Sequence, residues 1–170
     1  MSLQQGGNKT LQGTAGSLSD VDTVARNPIG LEVPDEAGNV YKYMGGVASV
    51  AAGDWCILGP SGAVARCVST PLAGPVGVAM AAIVANTFGW FQIVGLVSSA
   101  GNGQTSANIA TGVAADLPLF QTSTAGRVNA TPAAGCAIIG AFSAVSTASS
   151  NLGPAWISRP VAVGFTLASA

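Results

Sequence analysis

From residue 27 onward the chain alternates short apolar segments with glycine and proline, a pattern typical of strands joined by turns. The apolar segments are four to eight residues long and rich in β-branched and aromatic residues. No apolar stripe at helical spacing lasts three turns, so few helices are expected. We therefore predict an all-β chain, with strands at 40–44, 55–58, 64–68, 76–80, 90–97, 117–122, 136–142 and 161–167.

Two turns can be placed from residue chemistry. Residues 59–62 (Gly-Pro-Ser-Gly) separate two predicted strands, and proline fixes its own φ while glycine tolerates positive φ. Residues 38–39 (Gly-Asn) precede strand 40–44, whose alternation places Tyr41 and Tyr43 on one face. The first turn is a candidate hairpin turn, and the second leads into a strand.

An internal repeat is the most informative feature of the chain. Segment 47–58 is echoed by segment 112–120, and Asp54 matches Asp116, 62 residues later. Two β units of this length are each too small to bury a sheet face alone, so we predict that they pack together as a sandwich or barrel. The echo continues from 62–64 to 126–128, from 76–82 to 139–145 and from 90–92 to 156–158.

A chain of 170 residues is the usual size of one domain. We predict a single β domain at 28–170, with repeat units at about 47–97 and 112–167. Residues 1–27 have few large apolar residues and are expected to form an extended or flexible arm. Either the arm is disordered or it orders on a neighbouring subunit. It lacks the apolar segment of a signal peptide, so export by that route is not expected.

Charge is unusually sparse, at 8% of residues against about 25% in typical soluble domains. Such a surface is expected to be covered by other subunits or by a partner, although an uncharged Ser/Thr/Gly/Ala surface remains an alternative. The net charge is −1 and the cations are scattered singly, so nucleic-acid binding is not predicted. The six cations are Lys9, Arg26, Lys42, Arg66, Arg127 and Arg159.

The three cysteines, Cys56, Cys67 and Cys136, are an odd number without C-x-x-C spacing, and the chain has no histidine. Neither a disulfide framework nor a zinc site is indicated, and three reduced thiols are the simplest interpretation. Cys56 and Cys67 flank the predicted hairpin turn, so a disulfide between them stays open.

The uncharged segment 76–97 is long enough to span a bilayer. Asn86, Gln92 and three glycines interrupt it, however, and no lysine or arginine immediately flanks its ends. We therefore predict that the protein has no membrane span.

Catalytic chemistry is not indicated by the sequence. The absence of histidine excludes Ser-His-Asp and Cys-His arrangements. Asp54 and Asp116 could form a glycosidase pair, but each precedes a predicted strand, and we interpret both as carboxylates that bond a turn backbone. The acidic segments 20–22 and 35–36 do not fit a calcium loop, and the glycine-rich segment 101–103 lacks the ending of a phosphate-binding loop. We predict no catalytic residue, cofactor or metal, and hence not an enzyme.

The three tryptophans allow two interpretations. Trp55, Trp90 and Trp156 could stack on carbohydrate, or they could anchor a core or a subunit interface. Trp90 and Trp156 occupy matching repeat positions, as a buried tryptophan packing each half would. We therefore favour the structural interpretation.

Several segments together carry a family resemblance. They are 50–54 (Val-Ala-Ala-Gly-Asp), 77–79 (Gly-Val-Ala) and 86–92 (Asn-Thr-Phe-Gly-Trp-Phe-Gln), with Gly95 and the echo at 114–116 (Ala-Ala-Asp). Over about residues 40–165 the chain resembles the capsid decoration, or cement, proteins of tailed bacteriophages.

The resemblance implies a β-rich homo-oligomer, a dimer or trimer, that is made in the host cytoplasm and sits on the outer capsid surface of the virion. Such proteins bridge major capsid subunits against the pressure of packaged DNA, and they bring no catalytic residue, cofactor, membrane or nucleic-acid contact. The resemblance marks Trp90, Phe91 and Gln92 as core-forming, and we add Trp55 and Trp156 as structural or interface candidates. The alternative function is a glycan- or receptor-binding fibre or spike module.

Overall fold

The computed structural model describes residues 14, 16–69, 73–99, 105–147 and 151–164, which form twelve β-strands. The chain is all-β, as the pattern of apolar segments predicts. The strands are β1 (Glu32–Pro34), β2 (Val40–Gly45), β3 (Trp55–Leu58), β4 (Val64–Arg66), β5 (Gly74–Ala79), β6 (Phe88–Val97), β7 (Ala107–Asn108), β8 (Pro118–Gln121), β9 (Val128–Asn129), β10 (Ala137–Ser143), β11 (Leu152–Gly153) and β12 (Ala155–Ala162).

Ten of these strands form one antiparallel sheet, and β7 and β11 form a small second sheet. The large sheet follows the order β1-β2-β6-β5-β12-β10-β8-β9, and β3 pairs with β4 and β5 beside this path. Strand β6 also pairs with β12, which joins the two halves of the chain.

The two sequence repeats have the same strand pairing. In the first unit, β3 pairs with β4 and β5, and β5 pairs with β6. In the second unit, β8 pairs with β9 and β10, and β10 pairs with β12. The echo in the sequence therefore corresponds to a repeated arrangement of four strands.

Side chains alternate between two apolar clusters, because successive residues of a strand point to opposite faces. In β3, Trp55 and Ile57 lie in a main core, whereas Cys56 and Leu58 lie in a second core on the other face of the sheet. The main core receives residues of both units, including Val76, Val78 and Trp90 from the first and Leu119, Ile138, Ala141 and Ile157 from the second. Burial of such side chains contributes about 1.5–3 kcal/mol each.

Both predicted turns are confirmed. The N–H of Gly62 donates to the carbonyl of Gly59 at 3.1 Å, and Gly62 has a φ of 87°, between the antiparallel strands β3 and β4. Gly38 has a φ of 84° ahead of β2, in which Tyr41 and Tyr43 are both fully buried in the main core.

The last predicted strand, 161–167, is placed wrongly. The observed strand β12 starts six residues earlier, at Ala155, and ends at Ala162, while residues 165–167 lie outside the described residues. Strand β12 pairs with β6 before Pro160 and with β5 after it. Proline is tolerated there because the strand changes partner at that point, an exception that local sequence rules do not anticipate.

Part of the segment predicted to be an arm, 1–27, lies within the described residues. Residues 1–13 and 15 lie outside the described part of the chain, but several residues after 16 are buried, among them Ser17, Leu18 and Asp22. Leu18 is fully buried in the main core, and the hydroxyl of Tyr43 donates to Asp22 Oδ2 at 2.6 Å. Burial, together with this hydrogen bond, raises the pKa of Tyr43 to about 12. The domain therefore includes at least part of the predicted arm.

The segment 76–97, weighed as a membrane span, forms the end of β5, a turn and β6. No helix in the described ranges is long and apolar enough to cross a membrane.

The three cysteines are free and buried. The register of β3 and β4 places Cys56 opposite Arg66, so Cys56 faces the second core while Cys67 faces the main core. Side chains on opposite faces of a sheet cannot form the disulfide that the sequence left open. Burial raises the pKa of Cys56 well above its usual range and that of Cys67 to about 12.

We expect all three thiols to be unreactive in the folded protein, because a buried thiol is neither accessible nor ionised at neutral pH. Titration with a coloured thiol reagent should detect none of them in native buffer and three in denaturant. Rapid labelling of one thiol without unfolding would contradict this arrangement.

Candidate functional site

The three tryptophans do not share one environment. Trp55 and Trp90 are buried in the main core, and the Trp90 ring packs edge-on against Tyr43 with centroids 5.1 Å apart. Trp156 is 53% exposed. Trp156 therefore does not pack the core of the second unit as Trp90 packs that of the first, and of the two expected roles only that of an interface residue stays open to it.

The two tryptophans face opposite sides of the sheet. In β12, Ala155 and Ile157 point into the main core, so Trp156 between them points outward. The sequence repeat aligns two residues of the same type that lie on opposite faces of the sheet. A shift of one residue along a strand moves every side chain to the other face, so an alignment that is off by one residue pairs an inner residue with an outer one.

Strand pairing identifies the residue that faces the same way as Trp156. Trp156 stands opposite Phe142, and Phe91 stands opposite Ala79. Phe91 and Ala79 belong to the second core, on the outer side of the first unit. Phe91 is thus the first-unit counterpart of Trp156 in orientation, although Phe91 is fully buried.

Four apolar side chains lie together on the outer side of β10 and β12, and we call them the apolar face: Ile139, Phe142, Trp156 and Val161. Ile139 stands opposite Val161, and Phe142 stands opposite Trp156. Their exposed fractions are 63%, 47%, 53% and 41% in chain order. Exposed apolar patches of this kind mark interaction surfaces more often than free surface.

A bulge in β10 brings the apolar face into alignment. Ile139 and Phe142 are three residues apart and would point in opposite directions in a regular strand. The register shifts between Ile139 and Ala141, and Gly140 has a φ of 82°. A Cβ at Gly140 would lie 2.8 Å from the carbonyl oxygen of Ser158, so glycine is required there.

The outer side of the first unit is covered by the chain itself. Phe91 is buried there with Val50 and Ile83, which come from connecting segments before β3 and after β5. A Cβ on Gly46 would overlap the carbonyl oxygen of Ile83, which shows how closely these two segments approach each other. The described chain thus covers the outer face of one unit and leaves that of the other open.

Asp54 is 1% exposed and lies in a polar cluster between the units. Its Oδ2 is 2.9 Å from Arg66 Nε and accepts the N–H of Ala51 at 3.0 Å. Its Oδ1 accepts the side-chain amide of Asn108 at 3.0 Å. The carboxylate bonds a turn backbone, as interpreted from sequence, but it also forms an ion pair with the partly exposed Arg66 that local sequence does not indicate.

The same cluster connects distant segments. Arg66 Nη2 donates to the carbonyl of Ala125 at 2.7 Å, and Arg127 Nε donates to Asn108 Oδ1 at 3.2 Å. Gly126, with a φ of 79°, lies so close that a Cβ there would be 2.5 Å from Asp54 Cγ. The cluster therefore joins β3 and β4 to the second half of the chain.

Asp116, the sequence counterpart of Asp54, has a different setting. It is exposed at the turn before β8, has a φ of 59°, and its N–H donates to the carbonyl of Ser143 at 2.8 Å. The two aspartates thus occupy dissimilar environments, one buried and ion-paired and the other in solvent.

Gln92, the remaining core candidate, is fully buried, and its Nε2 donates to the carbonyl of Val94 at 3.1 Å. Together with Trp90 and Phe91 it forms a buried segment in the middle of β6. The three residues of β6 that were predicted to be core-forming are therefore interior.

A charged cluster lies at one edge of the apolar face. Glu32 is 3.2 Å from Lys42 Nζ and 2.9 Å from Arg159 Nη2. The hydrogen bond from Arg159 is the main reason that the pKa of Glu32 is lowered. These three residues and Val161 line a groove of about 230 Å³, so the apolar face continues into it. Arg159 itself has a φ of 43°, an uncommon conformation for a residue other than glycine.

A second groove, of about 480 Å³, adjoins the first at Lys42, Leu58 and Pro75. It lies beside the turn at 59–62, and the ammonium of Lys42, its charged lining group, is paired with Glu32. Its lining thus offers shape and apolar contact rather than a reactive group.

The residues described contain no group of three or more cysteine, aspartate or glutamate side chains that could hold a metal ion. Comparisons of the chain with protein-family models, with curated proteins and with solved structures found no match.

Proposed function

We propose that this chain is a structural protein of the virion, which binds the outer surface of a phage capsid and stabilises the lattice of major capsid subunits. The observation that carries the proposal is the apolar face on a duplicated β unit in a chain with only 8% charged residues. Such a surface suits permanent burial against other proteins.

On a capsid, individually weak contacts are sufficient for stable binding. A capsid presents the same site many times, and a self-associated ligand that engages several sites gains avidity without any single strong contact. No catalytic group is needed for this role. The structural candidates Trp55 and Trp90 hold the domain together, and Trp156 is available for contact.

Trp156 also supports a second candidate function, a glycan- or receptor-binding module of a fibre or spike. An exposed tryptophan beside Phe142 offers a flat aromatic surface on which a sugar ring could stack. Trp55 and Trp90 are buried and do not offer such a surface.

The test is co-sedimentation with expanded heads, assembled from the major capsid protein of the phage that encodes this chain. We expect saturable binding in a fixed ratio to capsid subunits and a higher temperature of head disruption when the protein is bound. Absence of binding at saturating protein would refute the proposal. Glycan binding by the folded protein without head binding would support the second candidate instead.

A further inference from the structure

We propose that the apolar face is the surface through which two copies of this chain pack against each other, each using the same face. The inference rests on the self-association that belongs to the proposed function, and it specifies the surface and the symmetry of the contact. Nothing in it depends on how the protein meets a capsid.

The first argument is area. Ile139, Phe142, Trp156 and Val161 expose 41–63% of their surfaces, which for large side chains amounts to about 400 Å² in total. A stable dimer buries about 800 Å² per partner, of which about two thirds is apolar in homodimers. The four residues thus supply most of the apolar area that such a contact needs.

The second argument is the distribution of exposed apolar residues. Of the eleven large hydrophobic side chains that are exposed in the described ranges, seven lie in the second half of the chain and four of these form the apolar face. A head-to-tail contact needs a second apolar surface of matching size, whereas a two-fold contact needs only one surface that matches itself. The concentration of apolar residues on one face favours the two-fold contact.

The third argument is charge. The four residues of the apolar face are uncharged, and the charged cluster at its edge contains both signs, Glu32 and Arg159. In a two-fold contact the edge of one copy meets the corresponding edge of the other, so a cation can approach the partner's carboxylate. The charged cluster at the edge of the apolar face is therefore compatible with the same cluster of a second copy.

The fourth argument is that the protein has to remain in solution before it meets any lattice. A chain with so few charges and an open apolar face is expected to aggregate unless that face is covered. The first unit covers its equivalent face with Val50 and Ile83. A second copy provides the corresponding cover for the second unit.

The contact would be a sheet packed on a sheet. Two such sheets lie about 10 Å apart, with strands crossing at about 30°. Ser158 is exposed beside Trp156 on the outer side of β12, so it is positioned to report the contact. The native thiols are buried, so a cysteine introduced at the surface is expected to be the reactive one.

The test is thiol cross-linking of Ser158→Cys in the full-length protein without capsids, using a bismaleimide that spans about 10 Å. We expect covalent dimers from Ser158→Cys and few from the matched control Ser61→Cys, an exposed serine in the turn between β3 and β4. Equal yields of dimer from both variants would overturn the proposal.

A second measurement keeps the test independent of the cross-linker. Sedimentation equilibrium of Phe142→Glu should show a dimer weakened by at least about 30-fold, because a charge is forced into the centre of an apolar contact. The control Val24→Glu changes a residue that is 75% exposed outside the apolar face and should leave the dimer unchanged. Circular dichroism of both variants checks that they are folded.

The outcomes separate this inference from the proposed function. A monomeric wild-type protein, or one whose self-association survives Phe142→Glu, overturns the inference whatever happens with heads. If the monomer binds heads and Phe142→Glu abolishes that binding, the apolar face belongs to the capsid contact and the inference is wrong. If the dimer forms through this face but heads are not bound, the inference stands and the proposed function fails.

Discussion

Replacing Asp54 with alanine is expected to lower the free energy of unfolding by about 3 kcal/mol, the lower end of the cost of breaking a buried ion pair, because Arg66 keeps 25% of its side chain exposed. Asp54 is 1% exposed, and its carboxylate balances Arg66 at 2.9 Å. Removing it leaves the guanidinium without its counter-ion and leaves the Ala51 N–H and the Asn108 amide without their acceptor. Each unsatisfied buried group adds to the loss.

Urea denaturation followed by tryptophan fluorescence measures the effect. The matched control is Asp116→Ala, which removes the exposed aspartate at the corresponding sequence position and should change stability by about 1 kcal/mol or less, part of it from placing alanine at a φ of 59°. The double variant Asp54→Ala with Arg66→Met should recover part of the loss, because it removes the uncompensated cation as well. Equal costs for Asp54→Ala and Asp116→Ala would contradict the buried cluster.

The comparison of Asp54 with Asp116 shows what a sequence repeat reveals and what it does not. Both residues precede a strand, and this local property is visible in the sequence. The partners that distinguish them are remote, since Asn108 lies 54 residues from Asp54 and Ala125 lies 59 residues from Arg66. Contacts over such separations depend on how the two units pack, which local patterning does not encode.

Strands and turns were predictable where local signals agree. Strand β3 has the bounds that its apolar pattern predicts, and the turn at 59–62 forms as its glycines and proline indicate. Strand β12 was misplaced because Pro160 lies inside it, at the point where the strand changes partner from β6 to β5. The rule that proline is excluded from the interior of a strand does not apply where the hydrogen bonding between the strands is already interrupted.

The candidate site was harder to predict than the fold. In most half-buried sheets, polar residues mark the outer face, but here both faces of β10 and β12 carry apolar side chains. Because no alternation of polar and apolar residues distinguishes the two faces, the sequence identifies Trp156 as a candidate but does not show to which face of the sheet its side chain points. The bulge at Gly140 adds a further reversal, since it places Ile139 on the same side as Phe142.

Replacing Trp90 with alanine is expected to cost about 3–5 kcal/mol, the usual range for removing a large aromatic side chain from a core. Trp90 is buried in the middle of the main core, where it packs on Tyr43 of the neighbouring strand. The cavity left behind is surrounded by strands of a continuous sheet, which limits how far the site can collapse.

The corresponding change at Trp156 separates the two tryptophans that the repeat aligns. Trp156→Ala should lower the stability of the monomer by about 1 kcal/mol or less, because the side chain is more than half exposed. Both variants are measured over a range of protein concentrations, since the apparent stability of a self-associating protein depends on concentration. A small loss of unfolding free energy for Trp90→Ala would contradict the burial of Trp90 in the main core. A large loss for Trp156→Ala that does not depend on protein concentration would contradict the placement of Trp156 on the outer face.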